Sequence, residues 1–426
     1  MTSNKHRLAG MVTILFLLIS LYSKAQTSDS ITVSQMREMG INFTHNNNVE
    51  LLMSGKEKFA RLFEDIRQAK QSVHLEYFNF RNDSIASLLF DLLAERVAQG
   101  VEVRALYDAF GNSSNNRPLK KRHIRALREK GLEIYEFDPI RFPWVNHVFS
   151  RDHRKIVVID GKIAYTGGMN VADYYINGTE VVGEWHDMHC RIEGDEVNSL
   201  QKIFLETWNS VTHQNVSGPQ YYRGLGDVSY IQGLKPDTTS TRGCMKVGII
   251  NRVPQKSPKI IRQFYMQAID GARDSIKLVN PYLTMNSQLM HALYDAVKRG
   301  VQVEVMISER SDIPLTPDCV NYQAHKLMKH GVKVWVYKPG FHHTKVIMVD
   351  GQLCTVGSAN LNARSLRWDY EENAIILDRE VTQQLSDRFD RDRDQSFLLT
   401  PEVWKKWRTP WQRFRGWFAH LLAPFL

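Results

Sequence analysis

The feature that most constrains this 426-residue chain is an order of predicted elements that occurs twice along it. In each copy an apolar strand-like segment leads through a helical stretch to a Gly-Val step and a second such segment. Another helix and a third strand follow, and then a segment that bears a histidine. Strands that alternate with helices predict βαβ units, with a sheet covered by helices. We therefore predict an α/β protein with two repeated α/β/α halves and mostly parallel sheets. The predicted strands are residues 73–78, 101–107 and 132–137, and residues 276–280, 301–307 and 332–337.

The length suits two domains of ordinary size. The stretch from residue 214 to about residue 243 is rich in Gly, Ser, Thr, Pro and Asn and has weak periodicity, which is typical of a connection. The predicted division is a first domain at 56–213, a linker at 214–243 and a second domain at 244–398, with a linker at 26–55 and a tail at 399–426.

The amino terminus has the order of residues found in a signal peptide. Lys5 and Arg7 precede an uncharged, mostly apolar run at residues 8–23, which is shorter than the ~20 residues that cross a bilayer untilted. Ser23 and Ala25 supply small residues at the cleavage-site positions. We predict a signal peptide at residues 1–25, and retention of the segment as a short membrane anchor stays open.

Each half carries one short motif at the matching place. The pairs His153 with Lys155 and His343 with Lys345 are each followed by four residues and then by Asp-Gly. Residues two apart on a strand project from the same face, so each pair builds a cationic corner. A single His-x-Lys would most often be two surface residues of a strand. Two copies at corresponding positions indicate a function.

The residues after each motif predict a hairpin. The apolar residues that follow Lys155 and Lys345 read as strands, and the Asp-Gly pairs that start at Asp160 and Asp350 read as two-residue turns. An Asp in such a turn can accept hydrogen bonds from nearby backbone amides. We therefore expect replacement of these two aspartates to affect folding more than chemistry.

These residues resemble the HxKxxxxD signature of the phospholipase D superfamily, over about residues 55–400. The resemblance implies two halves that face each other across a pseudo-twofold axis and share one site, without a metal ion or another cofactor. It implies that one histidine attacks phosphorus and forms a phosphohistidine, while the other protonates the leaving alcohol and activates the incoming one. The superfamily's usual order makes His153 the nucleophile and His343 the general acid/base, although the symmetry would allow the reverse. The implied site residues are His153, Lys155, Asp160, Asn170, His343, Lys345, Asp350 and Asn360.

A nucleophilic imidazole needs an acceptor on its second nitrogen, which sets the tautomer and stabilises the cation. Asp187 and Glu371 lie downstream of the two motifs and resemble the family's acidic partners. Glu184 and Glu372 are adjacent alternatives, and they stay open at this point.

The formal net charge of +9 favours anionic partners, and both nucleic acid and anionic lipid qualify. The carboxyl end is rich in aromatic residues interleaved with cations, which suits an amphipathic segment at the surface of an anionic membrane. Packing of the same helix on the protein's own core would produce an apolar face too. The residues concerned are Trp404, Trp407, Trp411, Phe414, Trp417, Phe418, Leu421 and Leu422, with Lys405, Lys406, Arg408, Arg413 and Arg415.

Within the superfamily the chain looks most like the bacterial cardiolipin synthases, which implies transfer of a phosphatidyl group between two phosphatidylglycerol molecules, with release of glycerol. The implied partners are phosphatidylglycerol and cardiolipin in an anionic membrane. The implied location is the bacterial envelope, exported or held at the cell membrane, with the site on the periplasmic face. The matching stretches are residues 74–78, 107–111, 167–170, 185–189, 357–361 and 364–365.

One departure leaves other functions open. Cardiolipin synthases of this kind commonly begin with two membrane-spanning helices, whereas this chain has one short apolar segment. An exported phospholipase D or a nuclease that hydrolyses phosphodiesters is therefore the alternative, with nucleic acid as partner in the latter case. A non-catalytic binding protein is a third hypothesis, which the completeness of both motifs disfavours.

The four cysteines form no Cys-x-x-Cys pair, which argues against a structural zinc site. Free thiols are the expectation, and a disulfide stays possible if the chain is exported. The residues are Cys190, Cys244, Cys319 and Cys354.

Overall fold

The computed structural model describes residues 33–139, 149–224, 243–313 and 316–423. The predicted signal peptide or anchor at residues 1–25 lies outside these ranges. Across the described ranges, no helix has both the length and the apolar character needed to cross a membrane. The described part of the chain begins with a short helix, α1, at residues 33–38.

The elements of the rest of the chain repeat in the predicted order. Those of the first half are β1 (Phe43–Leu52), α2 (Gly55–Gln68), β2 (Ser72–Tyr77), α3 (Ser84–Ala98), β3 (Glu102–Asp108), α4 (Ala109–Ser114), α5 (Lys121–Glu129), β4 (Glu133–Phe137), β5 (Ile156–Ile159), β6 (Ile163–Gly167), α6 (Tyr174–Asn177), β7 (Glu184–His186), β8 (His189–Gly194) and α7 (Val197–Thr212). Those of the second half are β9 (Met245–Arg252), α8 (Ile260–Gly271), β10 (Ser275–Val279), α9 (Ser287–Lys298), β11 (Gln302–Ser308), α10 (Thr316–Lys329), β12 (Lys333–Tyr337), β13 (Gly340–His342), β14 (Val346–Val349), β15 (Leu353–Gly357), α11 (Ala363–Arg367), β16 (Glu371–Leu377), α12 (Arg379–Arg393), β17 (Ser396–Leu398), α13 (Pro401–Trp407) and α14 (Pro410–Leu421).

Among the described residues, all strands except β7 and β13, which pair with each other, form one continuous sheet whose order reflects the duplication. From a central seam between β1 and β9, the first half runs β1-β8-β6-β5-β2-β3-β4. The second half runs β9-β16-β15-β14-β10-β11-β12 in the opposite direction and adds β17 at its edge. Within this sheet each strand of the first half thus has a counterpart in the second half, which confirms the α/β fold with two repeated halves.

The expectation of mostly parallel sheets is corrected by the pairing. Within the large sheet, the parallel pairs described are β2 with β3, β3 with β4, β10 with β11 and β11 with β12. The motif strands β5 and β14 run antiparallel to β2 and β10. The hairpin after each motif adds a further antiparallel pair, β5 with β6 and β14 with β15, and both residues of its turn have positive φ, 53° and 62° at Asp160-Gly161 and 51° and 62° at Asp350-Gly351. The sheet is therefore mixed.

The two halves share part of their core. One apolar cluster lies wholly within the first half and includes Val73, Leu75 and Val157. A second cluster combines residues of both halves, such as Val158 and Met348. Burial of an aliphatic side chain of this kind contributes ~1.5–3 kcal/mol, so the seam stabilises both halves together.

The predicted linker at residues 26–55 is too long, because residues 43–52 form β1, a strand of the central seam. Three consecutive asparagines hide this strand from a reading of apolar alternation. The side chain of Asn47 is buried and donates to the carbonyl oxygen of Met245 at 3.0 Å, while it accepts from the backbone amide of Glu196 at 2.9 Å. Its polar groups are satisfied across the seam, so burial is tolerated.

The described part of the predicted linker at 214–243 packs on the first half up to residue 224. Tyr221 is buried, and its hydroxyl donates to the Glu102 carboxylate at 2.7 Å. The domain boundaries themselves stay predictions.

All four cysteines are free thiols, as expected. Three of them are buried and Cys244 is exposed.

Candidate active site

Both motifs lie at the carboxyl ends of the parallel strands. Because β5 runs antiparallel to β2, and β14 to β10, the residues just before β5 and β14 meet the ends of β2 and β10. The ring of Phe78, after β2, lies 5.1 Å from the ring of His153, and that of Tyr282, after β10, lies 5.6 Å from His343. This edge of an α/β sheet is where ligands commonly bind.

The first histidine contacts an acid of the second half. Nδ1 of His153 lies 3.1 Å from both carboxylate oxygens of Glu371. The backbone fixes this approach, because the amide of His153 donates to the carbonyl oxygen of Tyr370 at 3.0 Å, and the amide of Tyr370 donates to that of Arg151 at 2.8 Å. The segment before β5 is therefore paired with the start of β16.

The second histidine contacts an acid of the first half in the same way. Nδ1 of His343 lies 2.6 Å from Oδ2 of Asp187. Strands β13 and β7 pair in parallel just before these residues, and the amide of His343 donates to the carbonyl oxygen of His186 at 2.6 Å. Each motif histidine thus contacts a carboxylate from the other half of the chain.

This geometry selects among the acids that the sequence left open. Glu184 contacts Nε2 of the neighbouring His186 at 3.1 Å instead of either motif histidine. Glu372 accepts from the backbone amide of Lys155 at 3.2 Å and from the hydroxyl of Thr166 at 2.7 Å. Asp187 and Glu371 are therefore the carboxylates that contact the motif histidines.

The contacts define the tautomer of both imidazoles. A carboxylate accepts hydrogen bonds and donates none, so Nδ1 carries the proton in each pair. Nε2 of His153 and of His343 then holds the lone pair that can attack phosphorus or accept a proton.

Burial keeps both histidines neutral in the free protein. Burial and the charge of Lys345 together lower the pKa of His343 to about 4, while Asp187 opposes the shift. The pKa of His153 is also lowered, by burial and by Lys155, against the opposing charge of Glu371. Neutral imidazole is the form that can act as a nucleophile.

The pKa values of the two acids are lowered as well, which keeps them charged where the histidines are neutral. Burial alone would raise the pKa of Glu371, but the charges of His153 and Lys155 and the hydrogen bonds from His153 and Ser358 outweigh it and lower the pKa. Asp187 follows the same rule with Lys345 and His343. Both carboxylates are therefore ionised at neutral pH.

Glu372 behaves differently from its neighbour. Burial raises its pKa to about 8, against the hydrogen bond from Thr166 and the charge of Lys155. It therefore holds a proton at neutral pH, which lets two adjacent glutamates stay buried without two negative charges.

The two lysines belong to one electrostatic cluster. Nζ of Lys345 donates to the carbonyl oxygen of His343 at 2.6 Å and lies 3.0 and 3.3 Å from the two ring nitrogens. Burial and the charge of Lys155 lower the pKa of Lys345 to about 8, while the charges of Asp187 and Glu371 oppose the shift. Lys155 donates to the carbonyl oxygen of His153, and burial lowers its pKa against Glu371, Glu372 and Asp187. Charged groups of both motifs thus act on each other.

The two asparagines follow β6 and β15 and are almost fully buried. Oδ1 of Asn170 accepts weakly from the amide of Asn79 at 3.4 Å. Oδ1 of Asn360 has no hydrogen-bond partner among the described residues. An unsatisfied buried carbonyl oxygen needs an explanation, and a donor such as a water molecule or the hydroxyl group of a bound ligand would supply one.

Asp160 and Asp350 lie at the turns, away from the histidines. The carboxylate of Asp160 accepts from the amides of residues 70, 71 and 72 at 2.7–3.2 Å. That of Asp350 accepts from the amides of residues 273, 274 and 275 at 2.8–2.9 Å. They tie each hairpin to the start of β2 or β10, as expected for a structural role.

The glycines after β6 make room for the acid. A methyl group on Gly168 would lie 2.2 Å from Oδ1 of Asp187, so a side chain there would displace the carboxylate. The corresponding residue of the second half is Ser358, whose hydroxyl donates to Glu371. The same position thus leaves room for the Asp187 carboxylate in the first half and forms a hydrogen bond to Glu371 in the second half.

Some functional contacts were missed by sequence reasoning. Nζ of Lys58 is buried and donates to the carbonyl oxygens of Met169 and Asn170 at 3.2 and 3.1 Å. Nε of Arg151 donates to both carboxylate oxygens of Asp108 at 3.0 Å. Neither residue belongs to a recognisable motif, and only long-range contacts reveal them.

A second histidine cluster lies behind the His343–Asp187 pair. Among the described residues, His186, His342 and Asp392 are the group whose spacing would suit a metal ion. The guanidinium of Arg388, however, lies 2.7 Å from Nδ1 of His186 and 2.9 Å from Oδ2 of Asp392. A cation thus already neutralises this group.

Comparisons with known proteins agree with this site. Residues 62–208 and 265–393 match the family described as cardiolipin synthase, PLD-like domain. The chain is 34% identical to the cardiolipin synthase of Listeria welshimeri over 390 residues, which is 91% of this chain and 77% of that one. It is 35% identical to cardiolipin synthase 1 of Staphylococcus epidermidis over 384 residues, 90% of this chain and 75% of that one.

The fold has a solved relative in the phosphatidylserine synthase of Haemophilus influenzae. That structure superposes with a TM-score of 0.67 at 16% identity, and the match covers 93% of this chain and 100% of that one. At this identity the likeness concerns the fold. Together with the two family matches, one in each half, it leads to one conclusion: the chain belongs to the cardiolipin synthases, phosphatidyltransferases of the phospholipase D superfamily.

Proposed function

We propose that this chain condenses two phosphatidylglycerol molecules into cardiolipin and glycerol through a phosphohistidine intermediate. The observation that carries the proposal is the exchanged pairing of His153 with Glu371 and of His343 with Asp187. Two imidazoles with protonated Nδ1 and free Nε2 are what a two-step transfer requires, because one must attack and the other must move a proton.

In the first step, Nε2 of His153 attacks phosphorus of the donor lipid, and the bond from phosphorus to the headgroup glycerol breaks. His343 gives a proton to the departing glycerol oxygen. In the second step, the hydroxyl of the acceptor phosphatidylglycerol loses its proton to His343 and attacks the same phosphorus. The phosphorus–nitrogen bond breaks, which yields cardiolipin and restores His153.

The proton for the first step is taken up when the donor lipid binds. In the free protein the pKa of His343 is about 4, so the ring is neutral. A phosphodiester carries a negative charge, and an opposite charge nearby favours the protonated imidazole. Substrate binding therefore supplies its own general acid, with Asp187 stabilising the cation that forms.

The remaining motif residues stabilise the charge that develops on the phosphoryl oxygens. We assign this role to the ammonium groups of Lys155 and Lys345 and to the side-chain amides of Asn170 and Asn360. Donors held in place before the reaction are worth more in a site that excludes water than in solution. In this arrangement the N–H groups of each amide donate to the phosphoryl oxygens, and the unpartnered Oδ1 of Asn360 can accept from a hydroxyl group of the lipid.

We further propose that the carboxyl-terminal helix α14 holds the protein at an anionic membrane. Its small residues pack on α10, where a methyl group on Gly416 would lie 2.9 Å from the carbonyl oxygen of Asp318 and where Ala419 is buried. The opposite face is exposed and apolar, and arginines flank it, which suits the headgroup region. The exposed residues are Trp411, Phe414, Trp417, Phe418, Leu421 and Leu422.

One face of α14 packs on the protein, and the exposed apolar face supports the proposal that this helix also meets a membrane. Replacing Trp411 and Phe418 by serine should reduce binding to phosphatidylglycerol vesicles by about 10-fold or more, because two large apolar side chains no longer enter the lipid. Leu88→Ser removes an equally exposed apolar residue elsewhere and is the matched control. Equal binding by both variants would contradict the role of α14. A location in the bacterial envelope, with the site on the periplasmic face, stays a prediction from residues 1–25.

The reaction itself is tested with the purified full-length chain and phosphatidylglycerol vesicles in the presence of a chelator. We expect one glycerol and one cardiolipin for every two phosphatidylglycerols consumed. Phosphatidic acid without cardiolipin would overturn transfer in favour of hydrolysis, and cleavage of DNA in the same preparation would favour the nuclease alternative.

A further inference from the structure

A cleft of about 730 Å³ opens beside the second catalytic pair. Its walls come from the loop after β2, the turn before α5, the segment around α6 and the loop after β11. The residues that carry the argument are Arg81, Arg117, Tyr174, Trp185 and Asp312.

The cleft shares two walls with His343. The ring of Trp185 lines the cleft, and its centroid lies 5.4 Å from that of His343. Asp312 also lines the cleft and accepts from the hydroxyl of Tyr282 at 2.6 Å, and the ring of Tyr282 lies 5.6 Å from His343. A ligand in the cleft is therefore one side chain away from the ring that we propose moves the proton.

Two guanidinium groups supply positive charge to this cleft. Nε of Arg81 is buried without a hydrogen-bond partner among the described residues, and its nearest carboxylate oxygen, on Asp83, is 3.8 Å away. Its guanidinium lies 5.4 Å from the ring centroid of Tyr174. Arg117 is brought to the same wall, because its carbonyl oxygen accepts from the amide of Asn82 at 2.7 Å. An arginine pair of this kind suits a phosphate group.

Four carboxylates line the same cleft, on Asp83, Asp173, Glu180 and Asp312, and backbone amides bind the first two, so that Nε of Arg81 has no carboxylate within hydrogen-bond distance. Asp83 accepts from the amides of Ala86 and Asp173 at 3.4 and 2.9 Å. Asp173 accepts from the amides of residues 84 and 85 at 3.2 and 2.7 Å. Asp312 has the hydroxyl of Tyr282 as its partner and can accept from a further hydroxyl.

From these contacts we infer that the cleft binds the glycerophosphate headgroup of the acceptor lipid. Arg81 and Arg117 hold its phosphodiester, and Asp312 and Trp185 orient the glycerol so that its free hydroxyl reaches His343. This inference rests on the proposed function and adds the site of the second substrate. The donor's leaving glycerol needs no such site, because it carries no second phosphate once the bond to phosphorus breaks.

The experiment compares two acceptors with the same purified full-length protein. Cardiolipin formation uses phosphatidylglycerol as acceptor, whereas exchange with labelled free glycerol uses an acceptor that lacks phosphate. In Arg81→Gln and Arg117→Gln, the loss in cardiolipin formation should exceed the loss in glycerol exchange by about 10-fold, the value of a charge-assisted hydrogen bond. Arg125→Gln, on the exposed face of α5 outside the cleft, is the matched control and should show no such difference.

Each outcome decides one hypothesis. Equal losses in the two reactions for Arg81→Gln and Arg117→Gln would overturn the acceptor site, and so would a similar difference in Arg125→Gln. Glycerol exchange reports a folded protein with a working pair of histidines, so a misfolded variant is recognised by the loss of both reactions together with a lower melting temperature. If the unchanged protein exchanges glycerol but forms no cardiolipin, the proposed function fails and the inference fails with it.

Discussion

The two histidine–acid pairs have the same geometry, but the structures behind them differ. Behind His153, Arg151 is fully buried and donates to Asp108, so a permanent ion pair holds the segment. Behind His343, the neighbouring His342 contacts Asp392 at 3.0 Å, and Arg388 joins Asp392 to His186. The duplicated motif preserves the reacting groups, whereas the support has diverged. This difference suits two roles, an attacking group that stays fixed and a proton carrier whose surroundings can respond.

The largest effect should come from the histidines themselves, and it separates their roles. His153→Asn and His343→Asn should each lower cardiolipin formation by about 10³-fold or more, since each step loses a reacting group. From a phosphatidyl ester of nitrophenol, nitrophenolate leaves without being protonated. His343→Asn should therefore still form the covalent lipid–enzyme adduct from this ester but should not transfer the lipid to an acceptor. His153→Asn should form none. Mass spectrometry of the quenched proteins detects the adduct, and its presence in His153→Asn alone would reverse the assignment.

Replacement of the two acids should have the next largest effect on cardiolipin formation. Glu371→Gln and Asp187→Asn keep the size of each side chain but remove the charge that sets the tautomer, which should cost about 10²- to 10⁴-fold in kcat. With the nitrophenyl ester, Glu371→Gln should slow adduct formation and Asp187→Asn should slow its breakdown. Rapid-quench kinetics measure both rates. If each acid affected the step of the other histidine, the exchanged pairing would not govern catalysis.

The position that differs between the halves gives a reciprocal test. Gly168→Ser makes the first half resemble the second, but its side chain displaces Asp187, and we expect about 10²-fold lower kcat. Ser358→Gly removes one hydrogen bond to Glu371 and should cost about 10-fold at most. The ratio of kcat values measures the asymmetry, and thermal melting checks that both proteins fold. Equal losses would mean that the space at Gly168 has no special role.

The pH dependence should expose Lys345. Its pKa is about 8, so the ammonium is present below that pH and is lost as the pH rises through it. Because kcat/KM reports groups of the free enzyme, it already declines with rising pH where His343 has to take up a proton, and the loss of the Lys345 charge should make this fall steeper above pH 8. Lys345→Arg keeps its charge at all these pH values, so the steeper part of the fall should move to higher pH even if the overall rate is lower. The same alkaline limb in Lys345→Arg would assign it to another group.

The smallest effect concerns the support behind His343. Arg388→Ala removes the link between Asp392 and His186, and we expect about 5-fold lower kcat with little change in KM, because the pair is positioned less well. Arg393→Ala removes an ion pair of similar length, 2.8 Å to Asp390, from the same helix and is the control. Similar kcat values for the two variants would show that the support does not position His343.

The local parts of this site could be predicted from sequence, and the long-range parts could not. The His-x-Lys spacing and the Asp-Gly turn depend on neighbours along the chain, so the pattern was sufficient, whereas the amides that Asp160 binds lie 88–90 residues before it. The pairing of each histidine with an acid of the other half could not be predicted, because His153 and Glu371 are 218 residues apart and no periodicity links them. The same reason hid the cluster of His186, His342 and Asp392. Strand β1 was missed because its buried polar residues are satisfied by partners that only the folded sheet provides.

The exchange of acids between the halves has a consequence for biosynthesis. When the first half leaves the ribosome, His153 has no carboxylate to orient it, and Asp187 has no imidazole to serve. The segment that contains Glu371 is made about 200 residues later. Phosphodiester chemistry by the proposed pair therefore has to wait until the second half has been made, and the first half alone would be inert toward the cell's own lipids.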